Sequence, residues 1–157
     1  MEKTRRRAVR RHPKRQEGEI SELIPLNLAV SSVLIVEADP EVQARLANNL
    51  RRQGNQVVGT GSSDGALALL SEWHVDLVLI SDDLPGRTAL ELTAGIRRLC
   101  PDAAVLFMSD HVEPGIRAAA RAAGALDCVH KPLSSDRLLP WLVVRRETPS
   151  QAEAVAR

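Results

Sequence analysis

The stretch LVLISDDLPG, residues 77–86, carries the strongest fold signal in this chain. Four apolar residues lead without interruption into Ser81, Asp82 and Asp83, and a Pro-Gly turn follows. An apolar run of strand length that does not alternate with polar residues is typical of a strand buried on both faces of a parallel sheet. In such sheets ligands bind beyond the carboxyl ends of the strands, so a functional site is expected at these polar residues.

Outward from this stretch, apolar runs alternate with amphipathic segments along the chain. Asp39 offers an N-cap before Pro40, and Thr88 and Glu91 have the spacing of a capping box. Strands are predicted at residues 33–37, 56–60, 76–81, 103–109 and 125–130, with helices beginning near residues 40, 63, 89, 114 and 135. The last helix is predicted to run to about residue 146, with Pro140 kinking it or displacing its start. This alternation predicts an α/β domain whose parallel sheet is covered on both faces.

Helical periodicity also predicts which side chains face the sheet. On the second helix the set is Ala66, Leu69 and Trp73. On the third helix it is Leu92, Ile96 and Leu99. Residues that recur at three- and four-residue steps share one face of a helix, so each set is expected on one side of its helix, and the set on the third helix is expected on the inner side.

The composition limits the classes of function. The chain has 157 residues, enough for one domain with a full core. Trp73, Phe107 and Trp141 are its complete aromatic set, too few for the stacking platforms of RNA-binding modules. Cys100 and Cys128 form no metal-site spacing with any histidine, which favours reduced thiols and a cytoplasmic protein. No apolar stretch approaches the roughly 18 residues of a membrane span.

The charge is distributed unevenly. Residues 1–15 carry eight Lys or Arg against Glu2 alone, whereas the rest of the chain has 13 basic and 19 acidic residues. We therefore predict a disordered basic arm and linker over residues 1–32, a globular domain over 33–146 and a flexible tail over 147–157. The arm is either a solubilising tail or a salt-sensitive contact, through residues 3–15, with nucleic acid or an anionic partner surface. Its basic residues include Arg5, Arg6, Arg7, Arg10, Arg11, Lys14 and Arg15.

Four motifs at these strand ends resemble the receiver domain of two-component response regulators. They are VLIVEADP at the first strand, VDLVLISDDLPG at the third, VLFMS at the fourth and GALDCVHKP at the fifth. The resemblance covers about residues 33–146. It implies a flavodoxin-like (βα)5 fold, a doubly wound parallel sheet with strand order 2-1-3-4-5, and a role in phosphorelay signal transduction.

The resemblance also implies a set of pocket residues, which this chain only partly supplies. An acceptor Asp should stand four residues before the Pro of the loop, where Ser81 stands here, and the second metal-binding acid is replaced by Ala38. Ser109 and Lys131 match the sensing hydroxyl and lysine, and Cys128 stands where the family has an aromatic. A cis Lys131–Pro132 bond is implied as well. The predicted degenerate phosphorylation pocket comprises Glu37, Ala38, Asp39, Ser81, Asp83, Ser109 and Lys131.

The chemistry of these residues argues against phosphoryl transfer. A serine cannot form an acyl phosphate, and no nearby base would activate its hydroxyl. Without a carboxylate at residue 38 a hard dication loses one of its oxygen ligands, so we do not expect tight Mg²⁺ binding, and no other cofactor is predicted. Successive strand side chains point to opposite faces, so Asp82 should face away from Ser81. Lys131 is expected to pair with Glu37 or Asp83.

A partner surface is predicted on the last two helices. Trp141 either packs into the core or belongs to an exposed patch bordered by arginines. The candidate face comprises Arg117, Arg121, Cys128, Arg137, Trp141 and Arg145, and a homodimer through it is possible in principle.

The sequence therefore predicts a stand-alone pseudo-receiver that acts as a phosphorylation-independent protein-interaction or regulatory module, and not an enzyme. Two alternatives remain open. One is a functional phosphorelay receiver with Asp82 or Asp83 as an atypical acceptor, and the other is an accessory nucleic-acid-binding regulator that uses the basic arm.

Overall fold

The fold is a parallel five-stranded sheet with helices on both faces. In the computed structural model, which describes residues 31–134, 137–138 and 140–142, the strand order is β2-β1-β3-β4-β5. This order confirms the predicted doubly wound, flavodoxin-like arrangement. The strands are β1 Ser32–Val36, β2 Gln56–Thr60, β3 Leu77–Ser81, β4 Ala104–Ser109 and β5 Asp127–His130, and the helices are α1 Pro40–Arg52, α2 Ser63–Glu72, α3 Ala89–Leu99 and α4 Pro114–Ala123.

A further helical segment follows β5. Arg137, Leu138 and residues 140–142 are helical, so Pro140 itself has a helical conformation. Leu138 and Leu142 are buried against the sheet. The basic arm, residues 1–30 of the predicted arm and linker, the rest of the predicted last helix, including Arg145, and the tail lie outside the described residues. No helix within the described ranges is both long and apolar enough to cross a membrane.

Strand alternation divides the core into two layers. Leu34, Val78 and Phe107 face the layer that includes α2, α3 and α4, while Ile35, Leu79 and Leu106 face the layer that includes α1 and the last helix. Because successive residues point to opposite faces, this parity also fixes the side on which each residue after a strand projects. Every residue of β3 and β4 is buried, as the apolar runs predict.

Local signals begin and end the helices as expected. The Asp39 side chain accepts hydrogen bonds from the backbone amides of Glu41 and Val42 at the start of α1. Thr88 and Glu91 form the predicted capping box of α3. Gly124 ends α4 with a φ of 111°, a left-handed conformation that glycine adopts without a steric penalty.

Leu99, which was predicted to lie on the inner side of its helix, is at the surface instead, and so is Trp73. Trp73 is 54% exposed and Leu99 is 48% exposed. Trp73 follows the end of α2 in an extended conformation, and Leu99 is the last residue of α3. Trp73 lies just beyond the last turn of α2 and Leu99 at the end of α3, so a match to the helical period did not ensure burial at either position. Leu70 is buried on α2 beside Ala66.

Candidate functional site

Four strand ends meet at the carboxyl edge of the sheet. Because β1, β3, β4 and β5 are parallel neighbours, they bring Glu37, Ser81, Ser109 and Lys131 together from positions up to 94 residues apart. Glu37, Ser81 and Ser109 are buried. Buried polar side chains are nearly always hydrogen-bonded, so each of the three is expected to have a partner within the protein. Glu37, Ser81 and Lys131 therefore meet at one edge of the sheet, and Ser109 ends the neighbouring strand there.

The Lys131 ammonium group is engaged by two of these side chains. It donates to Glu37 Oε2 at 3.0 Å and to Ser81 Oγ at 2.6 Å. The Lys131 side chain is only 14% exposed and that of Glu37 only 4%, so the ion pair is largely removed from water. This confirms the predicted pairing of Lys131 with Glu37. The contact with Ser81 occurs at the position where the resemblance implies an acceptor carboxylate.

Glu37 is also held at its other polar atoms. Its Oε1 accepts from the backbone N–H of Asp39 at 3.0 Å, and its carbonyl accepts from the Gln43 side-chain amide at 3.0 Å. Both carboxylate oxygens are therefore in use within the protein. Ala38, between Glu37 and Asp39, is exposed and contributes only a methyl group to this corner.

Asp83 approaches the site through its backbone. Its N–H donates to Ser81 Oγ at 3.4 Å, a long hydrogen bond, while the residue as a whole is exposed. Lys131 is paired with Glu37 rather than with the Asp83 carboxylate. The Lys131–Pro132 peptide bond is cis, as the resemblance implies. The Lys131 N–H donates to the Ser109 carbonyl at 2.9 Å, which fixes the loop after β5 to the end of β4.

The Ser109 hydroxyl points away from Lys131. It donates to Asp82 Oδ2 at 2.5 Å and accepts from the His111 backbone N–H at 3.0 Å. Counting alternate residues from Phe107 and Ile80 places both Ser109 and Asp82 on the α3–α4 side of the sheet. The prediction that Asp82 faces away from Ser81 is therefore confirmed. The Ser109–Asp82 bond was not foreseen, although the same parity argument applied to both strands would have indicated it.

A cavity of about 310 Å³ opens beside the Lys131–Glu37 pair. Four carboxylates and two cations line it, namely Glu37, Asp39, Asp83, Asp110, Arg45 and Lys131. Asp39 is also engaged as the cap of α1. Within the described part of the chain, no three His, Cys, Asp or Glu side chains are close enough to hold one metal ion. With four carboxylates against two cations, the lining of the cavity is acidic.

Asp82 lines a different cavity. Its neighbours there include Thr88 and Leu90 at the start of α3 and Ile116 on α4, around a volume of about 310 Å³. Phe107 closes the floor of this cavity from β4. Asp82 is exposed, so its carboxylate is accessible from solvent, but it lies on the opposite side of the sheet from Lys131.

The described part of the candidate partner face is basic. Arg117 Nε lies 3.4 Å and Arg121 Nη2 lies 3.3 Å from the same oxygen, Oδ1 of Asp127. One carboxylate cannot neutralise two guanidinium groups, so a positive charge remains on the surface of α4. Leu126, 46% exposed, adds an apolar side chain next to Asp127.

The other members of that face differ in exposure. Cys128 is 1% exposed and packs within the core, so its inclusion among the surface residues was wrong. Its side chain points to the inner side of β5, and burial, with the nearby Asp82 charge, raises the pKa of its thiol. Arg137 is exposed. Trp141 is half-buried against the core, which is the packing alternative of the two predicted.

Comparison with known proteins places this geometry in context. The family model described as response regulator receiver domain matches residues 33–142. The transcriptional regulatory protein KdpE of Mycobacterium tuberculosis is 31% identical over 118 residues, which is 74% of this chain and 52% of that protein. The transcriptional activator protein ExaE of Pseudomonas putida is 36% identical over 101 residues, 63% of this chain and 47% of that protein. This chain spans about half the length of these curated relatives.

Solved structures show the same fold. A response regulator from Thermotoga maritima superposes with a TM-score of 0.68 at 25% identity, covering 76% of this chain and 99% of that one. A two-component response regulator from Clostridium difficile superposes with a TM-score of 0.70 at 19% identity, covering 75% of this chain and 99% of that one. These likenesses agree with the fold and its strand order.

Proposed function

This chain belongs to the response regulator receiver domain family, and we propose that it works without phosphoryl transfer, as a pseudo-receiver that regulates by binding a protein partner. The observation that carries the proposal is the contact of Lys131 with both Ser81 and Glu37. The lysine that would contact the phosphoryl group in a phosphorylated receiver is here hydrogen-bonded to two side chains of the protein itself, which are always present. A single arrangement of the pocket is therefore favoured.

The acceptor position supports this proposal chemically. An alcohol forms a phosphate ester rather than an acyl phosphate, and attack by its oxygen needs a base to remove the proton. The groups within hydrogen-bonding distance of Ser81 Oγ are the Lys131 ammonium and the Asp83 N–H, both of which donate to it. Neither is a base, and both reduce the electron density on the hydroxyl oxygen.

Metal binding is disfavoured by the same corner of the pocket. Phosphoryl transfer relies on a dication to neutralise the charge that collects on the transferring group. Here Ala38 supplies no oxygen, and both oxygens of Glu37 already accept hydrogen bonds. Mg²⁺ at Glu37 would have to share that carboxylate with the Lys131 ammonium, whose positive charge repels it. We therefore propose that Mg²⁺ does not bind tightly.

The decisive experiment compares the natural chain with a variant in which the carboxylates are restored. Each protein is incubated with acetyl phosphate and Mg²⁺ and its intact mass is measured, with binding of beryllofluoride followed by fluorine NMR. The natural chain is expected to gain no phosphoryl group and bind no beryllofluoride. The double variant Ala38→Asp/Ser81→Asp, which supplies the acceptor and a metal ligand, is expected to do both. A labile adduct on the natural chain would overturn the proposal.

The alternative acceptor has one observation in its favour. Asp82 is exposed and its carboxylate is bonded to the Ser109 hydroxyl, the residue that matches the sensing hydroxyl of the family. If the natural chain gains a phosphoryl group, the variants Asp82→Asn and Asp83→Asn identify the acceptor. Loss of the adduct in either variant would establish a working receiver of unusual design.

We further propose that the partner binds the basic surface formed by α4 and β5. Arg117 and Arg121 share one carboxylate oxygen of Asp127, so this surface is matched by an acidic partner. Charge reversal at Arg121, which is 56% exposed in its side chain, should weaken such a complex without disturbing the core. Arg121→Glu is compared with Arg98→Glu on α3, another exposed arginine. Equal binding by both variants would remove this surface from consideration.

A further inference from the structure

Among the described residues, the two most exposed large apolar side chains line one groove at the amino edge of the sheet. Trp73 and Leu99 line one groove of about 350 Å³ between the ends of α2 and α3. Val75 and Ala103, both buried, form part of its floor, and the half-buried Cys100 lies beside Leu99. An indole and a leucine exposed side by side are a common feature of a surface that another segment covers.

The described chain begins at this same edge. The Ser32 N–H donates to Asp76 Oδ2 at 2.9 Å, and the Asp76 N–H donates to the Ser32 carbonyl at 2.9 Å. Asp76 directly follows Val75 of the groove, and its own carbonyl accepts from Ala104 N–H at 2.9 Å. Ser32 is thus paired with Asp76, which follows Trp73 by three residues. Because a chain spans at most about 3.5 Å per residue, residue 31 is anchored close to Trp73.

The sequence just before this anchor is apolar. Residues 20–28 read ISELIPLNL and include five aliphatic side chains, of which Ile20, Leu23 and Ile24 have helical spacing before Pro25. We propose that this segment folds back onto its own domain and covers the Trp73–Leu99 groove. The inference concerns the opposite edge of the sheet from the phosphorylation pocket and does not depend on the proposed function.

The short connection favours this occupant over others. Only residues 29–31 separate the segment from the anchored strand, and a short linker gives an effective concentration on the order of millimolar. A second copy of the chain or a separate protein would have to compete against that concentration.

Trp73 makes the contact measurable in the 157-residue chain. Trp73 and Trp141 are the only tryptophans, so Trp141→Phe leaves Trp73 as the sole reporter. In this background, emission wavelength and acrylamide quenching are compared with and without Ile20→Ser, Leu23→Ser and Ile24→Ser together. We expect the triple variant to show a red-shifted emission and a larger quenching constant. Val9→Ser, an apolar loss in the basic arm, is the matched control and should change neither.

Two further readouts keep the outcome unambiguous. Alkylation of Cys100 in the groove should become faster in the triple variant, while Cys128 in the core should stay protected, which excludes global unfolding as the cause. Identical Trp73 emission and quenching with and without the three substitutions would overturn the proposal. An emission change that depends on protein concentration would overturn it too, because the groove would then be covered by a second copy.

Discussion

Removing the pocket lysine is the most informative perturbation of the structure. Lys131→Met keeps an unbranched chain of similar length but deletes the ammonium group, so Glu37 Oε2 loses its cation and Ser81 Oγ loses its donor. Glu37 would then be left as a buried carboxylate. We expect the free energy of unfolding at neutral pH to fall, because burying an unpaired charge costs more than the pair itself contributed.

The size of the effect follows from the burial of the pair. Removing one partner of a buried ion pair typically costs about 3–5 kcal/mol. The Lys131 side chain retains some solvent contact, 14% against 4% for Glu37, which places this case at the lower end. The expected loss is therefore about 3 kcal/mol. For a domain of this size each kcal/mol lowers Tm by about 4 °C, so a shift of roughly 12 °C is expected.

Urea denaturation measures this effect, with two variants as controls. Ser81→Ala removes only the neutral partner of Lys131 and should cost about 1 kcal/mol. The double variant Glu37→Gln/Lys131→Met removes both charges, so it should be less destabilised than the sum of its single variants. An unchanged denaturant slope will show that the effect is on stability and not on the compactness of the unfolded state.

The reasoning fails if Lys131→Met unfolds within about 0.5 kcal/mol of the natural protein, which is the range of ordinary surface substitutions. Strict additivity in the double variant would contradict it as well. Either result would mean that Lys131 is mostly solvated and not held by Glu37 and Ser81. The pocket would then be free to respond to a ligand, and the proposal of a fixed arrangement would lose its support.

Four further outcomes are expected. Thr88→Ala should cost about 1 kcal/mol through loss of the α3 cap, measured by urea denaturation. The backbone and side-chain hydrogen bonds from Thr88 lower the pKa of Glu91. The contribution of the capping box to the free energy of unfolding should therefore be present above the ordinary glutamate pKa and be lost as the pH falls through the lowered pKa. Equal acid sensitivity of the natural chain and Glu91→Gln would contradict this. Burial raises the pKa of the Cys128 thiol, so alkylation at neutral pH should be slow and should accelerate only on unfolding, as followed by mass spectrometry. Any nucleic-acid binding should disappear when residues 1–19 are deleted and should weaken steeply with salt before deletion, whereas binding retained by the truncated chain in a shift assay would contradict an arm-driven contact.

Much of the fold followed from local patterns. The unbroken apolar runs of β3 and β4 predicted buried parallel strands, because both faces of each strand must exclude water. Asp39, Thr88 and Glu91 marked helix starts because capping depends on residues within one turn of each other. The resemblance to receiver domains then supplied the strand order, from which the meeting of Glu37, Ser81 and Lys131 followed.

What the local pattern could not supply was the environment of side chains at the ends of elements. Leu99 matched the helical period yet lies at the surface, because burial at a helix end depends on how far the neighbouring sheet extends. Cys128 was assigned to a surface by its position near the last helices, whereas the parity of β5 turns it into the core. The bond between Ser109 and Asp82 joins residues 27 positions apart on adjacent strands, so it depends on strand register. Sequence alone determined which segments become strands and helices and which residues end them, because those preferences are short-range. Only tertiary packing decided on which face of the sheet each polar side chain lies and which side chain it contacts there.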